Sequence, residues 1–154
     1  MKRLLYVLMI VTVLLAGCAS GGEKEFSLSP EELGQTIFEK AEFTDQLTLL
    51  PKESLYRLYD LDSSLVEDSC LYVGTGSTAE EIAVFRMKDA GGVEAAKAAI
   101  EKRIAYQTDN FKDYVPAEVP KLEKAVVKTG GTTVVFVVSA NADGTKSVID
   151  SLYR

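Results

Sequence analysis

Hydrophobic positions at helical spacing recur in several stretches of the chain. They predict a first helix from the capping sequence at Ser29 to about Phe43, and a short second helix over Lys52–Tyr59. A longer apolar stripe predicts an amphipathic helix over Gly91–Phe111. The last periodic segment predicts a terminal helix over Asp143–Leu152, with Asp143 as its N-cap.

Runs of β-branched and apolar residues between these helices predict four strands. Leu65–Val73 and Glu81–Lys88 flank a glycine-containing connection, and Ala125–Lys128 and Thr132–Ser139 flank a second turn rich in glycine. Each pair is typical of a β-hairpin. The order helix, hairpin, helix, hairpin, helix therefore predicts a two-layer α+β domain. Its mostly antiparallel four-stranded sheet would carry helices on one face.

The start of the chain has the pattern of an export signal. Lys2 and Arg3 precede an apolar run over Leu4–Leu15, which ends in Leu-Ala-Gly-Cys at Cys18. This run is too short for a transmembrane helix, which needs about 20 apolar residues. The Leu-Ala-Gly-Cys sequence resembles the lipobox of bacterial lipoprotein signal peptides, and that resemblance implies cleavage before Cys18 and acylation of its thiol.

These features predict three segments. Residues 1–17 form a lipoprotein signal peptide, residues 18–28 a lipidated tether of small and polar residues, and residues 29–154 a single α+β domain. A domain of that length buries a core without help from metals or disulfides.

Composition excludes several classes of function. The chain has no histidine and only two cysteines, so histidine metal sites, histidine-dependent nucleophiles and cysteine-only zinc sites are ruled out. Its formal net charge is −6, and removal of Lys2 and Arg3 with the signal peptide makes it −8. Because such a surface repels nucleic acid and anionic headgroups, we expect no nucleic-acid partner. We expect acylated Cys18, not protein charge, to hold the chain at the lipid bilayer.

Two motifs are candidates for sites of chemistry. Glu80 and Glu81 are adjacent in a predicted strand, so they point to opposite faces and do not form a pair across a cleft. The segment Gly74–Ala79 matches the dinucleotide pattern G-x-G-x-x-A, but a strand follows it where phosphate binding needs a helix, which favours a turn. We therefore predict no catalytic residue, no metal and no cofactor.

Three polar residues in or just after the long predicted helix are candidates for a pocket or a structural role. Gln107 falls within the apolar stripe, so it should face the sheet. It either fixes a loop or strand end, or points into a pocket beside Arg103 and Tyr114. In the strands, Arg86 is either on a solvent face or paired with a glutamate, and Cys70 should be a small buried apolar residue.

A set of residues in the second half of the chain gives a resemblance to a known family. The set comprises Ala79–Phe85, Arg103, Gln107, Phe111, Tyr114 and Pro116. Together with the lipobox, it resembles a family of small lipoproteins from low-GC Gram-positive bacteria that is described as a domain of unknown function. The resemblance covers roughly Leu28 to the C-terminus. It implies a location on the outer side of a single membrane, and it brings no activity or catalytic residue.

The sequence thus predicts a lipoprotein of the cell membrane that lies on the extracytoplasmic face. We expect it to be a non-enzymatic binding module for an unknown envelope protein or small ligand. The alternative is a small envelope enzyme or ligand carrier that uses carboxylates around a cleft at the sheet edge. A concave pocket with converging polar groups would favour the alternative.

Overall fold

The structure of the protein, a computed structural model, describes residues 24–154. The predicted signal peptide, Cys18 and the first part of the predicted tether lie outside the described residues. Among residues 24–154, no helix combines the length and the apolar composition needed to cross a bilayer.

The described residues contain five helices, and the sequence pattern predicts four of them. The fifth is the short α4, which begins between Pro116 and Pro120, the two prolines that interrupt the hydrophobic pattern. α1 starts at the predicted capping box, where the Ser29 hydroxyl accepts the Glu32 N–H and the Glu32 carboxylate accepts the Ser29 N–H. The bounds are α1 (Pro30–Lys40), α2 (Lys52–Leu58), α3 (Ala90–Tyr114), α4 (Val119–Glu123) and α5 (Ala142–Leu152).

The strands of the described chain form one antiparallel sheet of mixed α/β architecture, as predicted. They are β1 (Thr48–Leu49), β2 (Val66–Val73), β3 (Glu81–Met87), β4 (Val126–Gly130) and β5 (Thr133–Val138), in the spatial order β1-β2-β3-β5-β4. The sheet has five strands where four were predicted, because Thr48 and Leu49 pair with the end of β2. A two-residue strand is too short to show the alternation that reveals strands in a sequence.

Helices cover both faces of the sheet, not the single face predicted. α2, α3 and α4 pack on one side, called here the α3 face, and α1 and α5 pack on the other, called the α5 face. The central strands explain this arrangement, since every residue of β5 and all of β3 except Arg86 are buried. Strands buried on both faces are continuously apolar, and each face then needs its own helical layer.

The two ends of the sheet differ in what they carry. At the hairpin end, the β4–β5 turn places Gly131 at φ +56°, and Glu25 packs so closely that a Cβ on Gly131 would meet its carboxylate at 2.7 Å. The described chain therefore begins at this end. The opposite loop end is formed by the start of β3 at Glu80 and Glu81, by α4, and by the loops over residues 41–47, 74–80 and 139–141.

The start of α5 differs slightly from the prediction. The helix begins at Ala142, and Asn141 is its N-cap where Asp143 was predicted. The Asn141 side chain accepts the N–H of Gly144 at 3.0 Å, so it occupies the position from which a short polar side chain satisfies the first turn.

Cys70 is buried, as predicted, on the α5 face. It packs against α1 at Gly34, where a Cβ would lie only 2.6 Å from the Cys70 Sγ. Burial raises the pKa of the Cys70 thiol to about 11, and the carboxylates of Glu31 and Asp68 add to the effect. Since the thiolate is the reactive form, this thiol should be inert in the folded protein.

We expect Cys70 to react slowly with a maleimide in native buffer and fully in denaturant. The measurement is mass spectrometry of the modified protein over time, on a Cys18→Ser variant so that Cys70 is the only thiol. Stoichiometric labelling within minutes in native buffer would contradict the burial of Cys70.

Candidate functional site

Two consecutive carboxylates enter the interior at the start of β3, and Glu81 is on the α3 face. Its carboxylate accepts a hydrogen bond from the Tyr59 hydroxyl. It also forms an ion pair with Arg103, whose Nη2 is 2.6 Å from the Glu81 Oε2. The Arg103 guanidinium also lies 5.8 Å from the centre of the Tyr59 ring. α2 and α3 therefore meet β3 through one buried group of three polar side chains.

Glu80 is bound by a separate set of groups. Its carboxylate accepts hydrogen bonds from the backbone N–H groups of Thr44 and Asp45 at 2.8 and 2.9 Å, and from the Thr44 hydroxyl at 2.8 Å. Lys121 of α4 supplies the charge partner, with its Nζ 2.9 Å from Oε1. Glu80 thus fixes the loop before β1 and the short helix α4 to the same strand.

Two further carboxylates extend this network at the loop end. Glu118 accepts the backbone N–H of Ala79 at 3.0 Å and pairs with Lys121, also at 3.0 Å. Asp45 accepts the N–H of Thr75 and the Thr78 hydroxyl across the β2–β3 connection, at 2.8 and 2.9 Å. The predicted turn in the G-x-G-x-x-A segment is confirmed, since strand β3 follows it and its polar groups bind Asp45.

Burial and hydrogen bonding act in opposite directions on these groups. For Glu80, burial raises the pKa, but the Asp45 N–H, Lys121 and Thr44 outweigh it and hold the pKa below the usual range of a glutamate. For Tyr59, burial and the Glu81 charge both raise the pKa of the phenol well above its ordinary value. The network therefore keeps Glu80 ionised and Tyr59 protonated at neutral pH.

Both glutamates of the network are closed off from solvent and bonded to protein groups. Glu80 and Glu81 are 1% and 2% exposed, and the donors that surround them are protein groups. Within residues 24–154, no three His, Cys, Asp or Glu side chains are grouped so that they could hold a metal ion.

The polar residues predicted for α3 are spread along the helix. Arg103 is buried against Glu81, Gln107 is half-buried one turn later, and Tyr114 is 88% exposed at the end of the helix. Arg103 and Tyr114 are eleven residues apart, or about 16 Å along the axis, so the helix separates them. No side-chain hydrogen bond of Gln107 is found in the described part of the chain, and a role for Gln107 stays a prediction.

Arg86 neither lies on a solvent face nor pairs with a glutamate, the two alternatives that the sequence predicts. Its Nη2 donates to the Leu28 carbonyl at 2.7 Å, and its Nε donates to the Thr133 hydroxyl at 3.3 Å. This arginine therefore ties the segment before α1 to the sheet.

A groove of about 570 Å³ lies beside β4 and is called here the edge groove. A neighbouring pocket of about 150 Å³ shares Lys124, Ala140 and Ala142 with it, so the two form one depression between α4, β4 and α5. Lys124 and Lys146 are exposed, and neither has an ion-pair partner within 4 Å among residues 24–154. The edge groove is lined by Lys124–Val127, Ala140–Asp143 and Lys146.

The edge groove was not predicted, although part of its signal is in the sequence. Val126 and Lys128 alternate along β4, which places them on one face, and Val126 packs against the α5 face. Lys124 precedes the strand as the C-cap of α4. Lys146 comes from a helix that follows β5, and only the sheet topology brings it next to β4.

The family of the chain follows from a comparison with family models. The model described as Domain of unknown function (DUF4358) matches residues 39–139. The chain belongs to this family. No curated protein and no solved structure matches the chain. The matched DUF4358 segment contains both carboxylates of the buried network and their partners Tyr59, Arg103 and Lys121, whereas most of α1 and all of α5 lie outside it.

We expect Arg103→Met to destabilise the DUF4358 domain by about 3–5 kcal/mol, because it leaves the Glu81 carboxylate buried without its cation. The double variant Arg103→Met/Glu81→Gln should lose less than the sum of the two single changes. Urea unfolding of the four proteins measures this coupling. Lys97→Met, which breaks an exposed pair with Glu94, is the control and should cost at most about 1 kcal/mol. An Arg103→Met cost as small as that of the control would contradict the structural role of the pair.

The lowered pKa of Glu80 predicts a pH-dependent stability. A group whose pKa falls on folding contributes stability above its unfolded pKa, near 4.3, and loses that contribution as the pH drops through the folded pKa. Glu80→Gln should therefore cost about 1–3 kcal/mol at pH 7, and clearly less at pH 3. Urea unfolding across this pH range measures the difference, and an equal cost at both pH values would refute the assignment.

Proposed function

We propose that this protein is a lipoprotein of the cell membrane that acts as a non-enzymatic binding module on the extracytoplasmic face. Acylated Cys18 would anchor it, and an envelope protein would bind the surface that β4 and the edge groove present. The observation that carries the binding proposal is the edge groove itself, a wide concavity next to a sheet edge with unpaired lysines.

The anchor is supported by the start of the sequence. A basic start, a short apolar run and the lipobox-like Leu-Ala-Gly-Cys precede Cys18, and two acyl chains are enough to hold a protein at a bilayer. The resemblance to small lipoproteins of low-GC Gram-positive bacteria supports the outer side of a single membrane.

The position where the described chain begins supports an orientation for the domain. Lys24 lines a pocket with Thr129, Gly131 and Tyr153, so the tether joins the hairpin end of the sheet. From Cys18 to Lys24 an extended chain spans at most about 21 Å. An anchored domain would therefore keep its hairpin end near the bilayer and direct its loop end, where the edge groove opens, away from it.

The alternative of a carboxylate enzyme or a ligand carrier has less support from this geometry. The edge groove is concave, but Asp143 is the one carboxylate among its lining residues. Glu80 and Glu81 are engaged with separate protein donors, so neither faces the other across open space. A glycosidase-type reaction needs two such facing carboxyl groups.

The anchor is tested by Cys18→Ala in the native host. We expect the wild-type protein to begin at an acylated Cys18 and to enter the detergent phase of Triton X-114. The variant should lose acylation and cleavage before residue 18, and it should then either stay attached by its uncut apolar segment or be cut elsewhere and released. Mass spectrometry of the mature N-terminus and phase partitioning are the measurements. A wild-type chain that starts at Met1, or beyond Cys18 in the aqueous phase, would refute the anchor.

The same cells test the binding module. Crosslinked wild-type protein, purified and analysed by mass spectrometry, should carry an envelope partner, and the released Cys18→Ala protein should carry less of it. If chemical crosslinking of intact cells gives monomer alone, the binding function is refuted while the anchor stands.

A further inference from the structure

β4 is an edge strand with an open side. Gly130 and Thr133 flank a two-residue turn, so they form a hydrogen-bonded pair, and pairing then alternates along the ladder. Lys128 and Val126 accordingly bond to β5, whereas the N–H and C=O groups of Val127 and Thr129 project outward. β4 has no other neighbour among the strands of residues 24–154. Such a row of backbone groups is a template for another strand.

Cavities with lysines adjoin both ends of this open edge. Lys124 and Lys146 line the edge groove at the loop end, and Lys24 lines a pocket of about 350 Å³ at the hairpin end, together with Thr129. The acidic residue among these lining groups is Asp143. A net negative protein thus surrounds one edge strand with unpaired positive charge.

We propose that the β4 edge binds an extended acidic segment of a partner protein by strand addition. Backbone groups of Val127 and Thr129 would hydrogen-bond to the segment, and its carboxylates would meet Lys124 and Lys146 in the edge groove. Strand addition supplies affinity through the main chain and specificity through alternate side chains. This inference rests on the proposed binding function and names its site and the chemistry of its partner.

A second copy of the chain is a poorer occupant than an acidic segment. An antiparallel pairing of β4 with β4 places Lys124 of each copy beside the hairpin end of the other copy, where Lys24 lies. Like charges placed side by side across a sheet are destabilising. Both copies also carry a net negative charge, which adds long-range repulsion.

The probe is a fluorescein-labelled ten-residue acidic peptide in which threonine and valine alternate with glutamate. The control is a basic peptide of the same sequence with lysine in place of each glutamate. Fluorescence anisotropy with the full-length chain in a mild non-ionic detergent gives the affinities. We expect the acidic peptide to bind at least about tenfold more tightly than the basic peptide. Lys124→Glu and Lys146→Glu should each weaken it by about tenfold. Lys102→Glu, an equal charge change on α3, should leave the affinity within about twofold.

The backbone part of the proposal is tested at Val127. Val127→Pro removes an outward N–H, a change that edge strands tolerate, and should abolish binding, whereas Val127→Thr keeps the N–H and should bind normally. Circular dichroism checks that both variants fold. If Val127→Pro does not fold, the two lysine variants still decide the question, because they leave the backbone unchanged.

Several results would overturn the proposal. These are no binding of the acidic peptide at millimolar concentration, equal binding of both peptides, and dimerisation in sedimentation that Val127→Pro abolishes. A photo-crosslinker separates this site from the proposed function. Capture of an envelope partner from Tyr106, which is 61% exposed on α3, but not from Val127 would refute the edge and leave the binding module standing.

Discussion

The buried carboxylates at the start of β3 are the constraint on which the loop end depends. A charge taken out of water must find a partner, and Glu80 and Glu81 need separate ones because they leave the strand in opposite directions. Tyr59 and Arg103 satisfy one, and Lys121 with the loop before β1 satisfies the other. Three helices and a loop are thereby held at one end of the sheet.

The same constraint leaves the other side of the molecule free. Because α4 is fixed to Glu80 through Lys121, it ends before β4 and does not extend along it. β4 packs against α5 on one face and, among residues 24–154, has no strand on its outer side. Sheets commonly protect such an edge with lysines. Here Lys24, Lys124 and Lys146 line cavities at its ends, while Lys128 in the middle of the strand is paired with Asp150. These charges disfavour pairing of β4 with β4 of another copy, while the edge stays accessible to a partner of opposite charge.

Much of the fold could be predicted from the sequence because its signals are local. The capping box at Ser29, the stripe of α3 and the glycine turn before β5 each lie within a few neighbouring residues. The second helical layer was also present in the pattern, since the run Val134–Val138 is apolar at every position and not at alternate ones. The prediction of one covered face is wrong because a hairpin pattern does not by itself show whether a strand is buried on one face or on both.

The site could not be predicted in the same way. The pairing of Glu81 with Arg103 spans 22 residues and that of Glu80 with Lys121 spans 41, so only the folded topology joins them. A charged residue in a strand looks the same in a sequence whether it faces solvent or a buried cation. The adjacent glutamates correctly indicated two opposite directions, but not that both directions lead inward.

The two ends of the described chain are neighbours, so the chain could be joined there and opened at another turn. The Glu25 N–H donates to the Arg154 carbonyl at 2.7 Å, and the Arg154 N–H returns a bond at 3.1 Å. A short linker across this gap would close the chain into a ring without moving a strand, and the ring can be reopened at the turn around Gly76, where an added side chain meets open space. A circular permutant built in this way would keep its core and carry any attached anchor at the opposite pole.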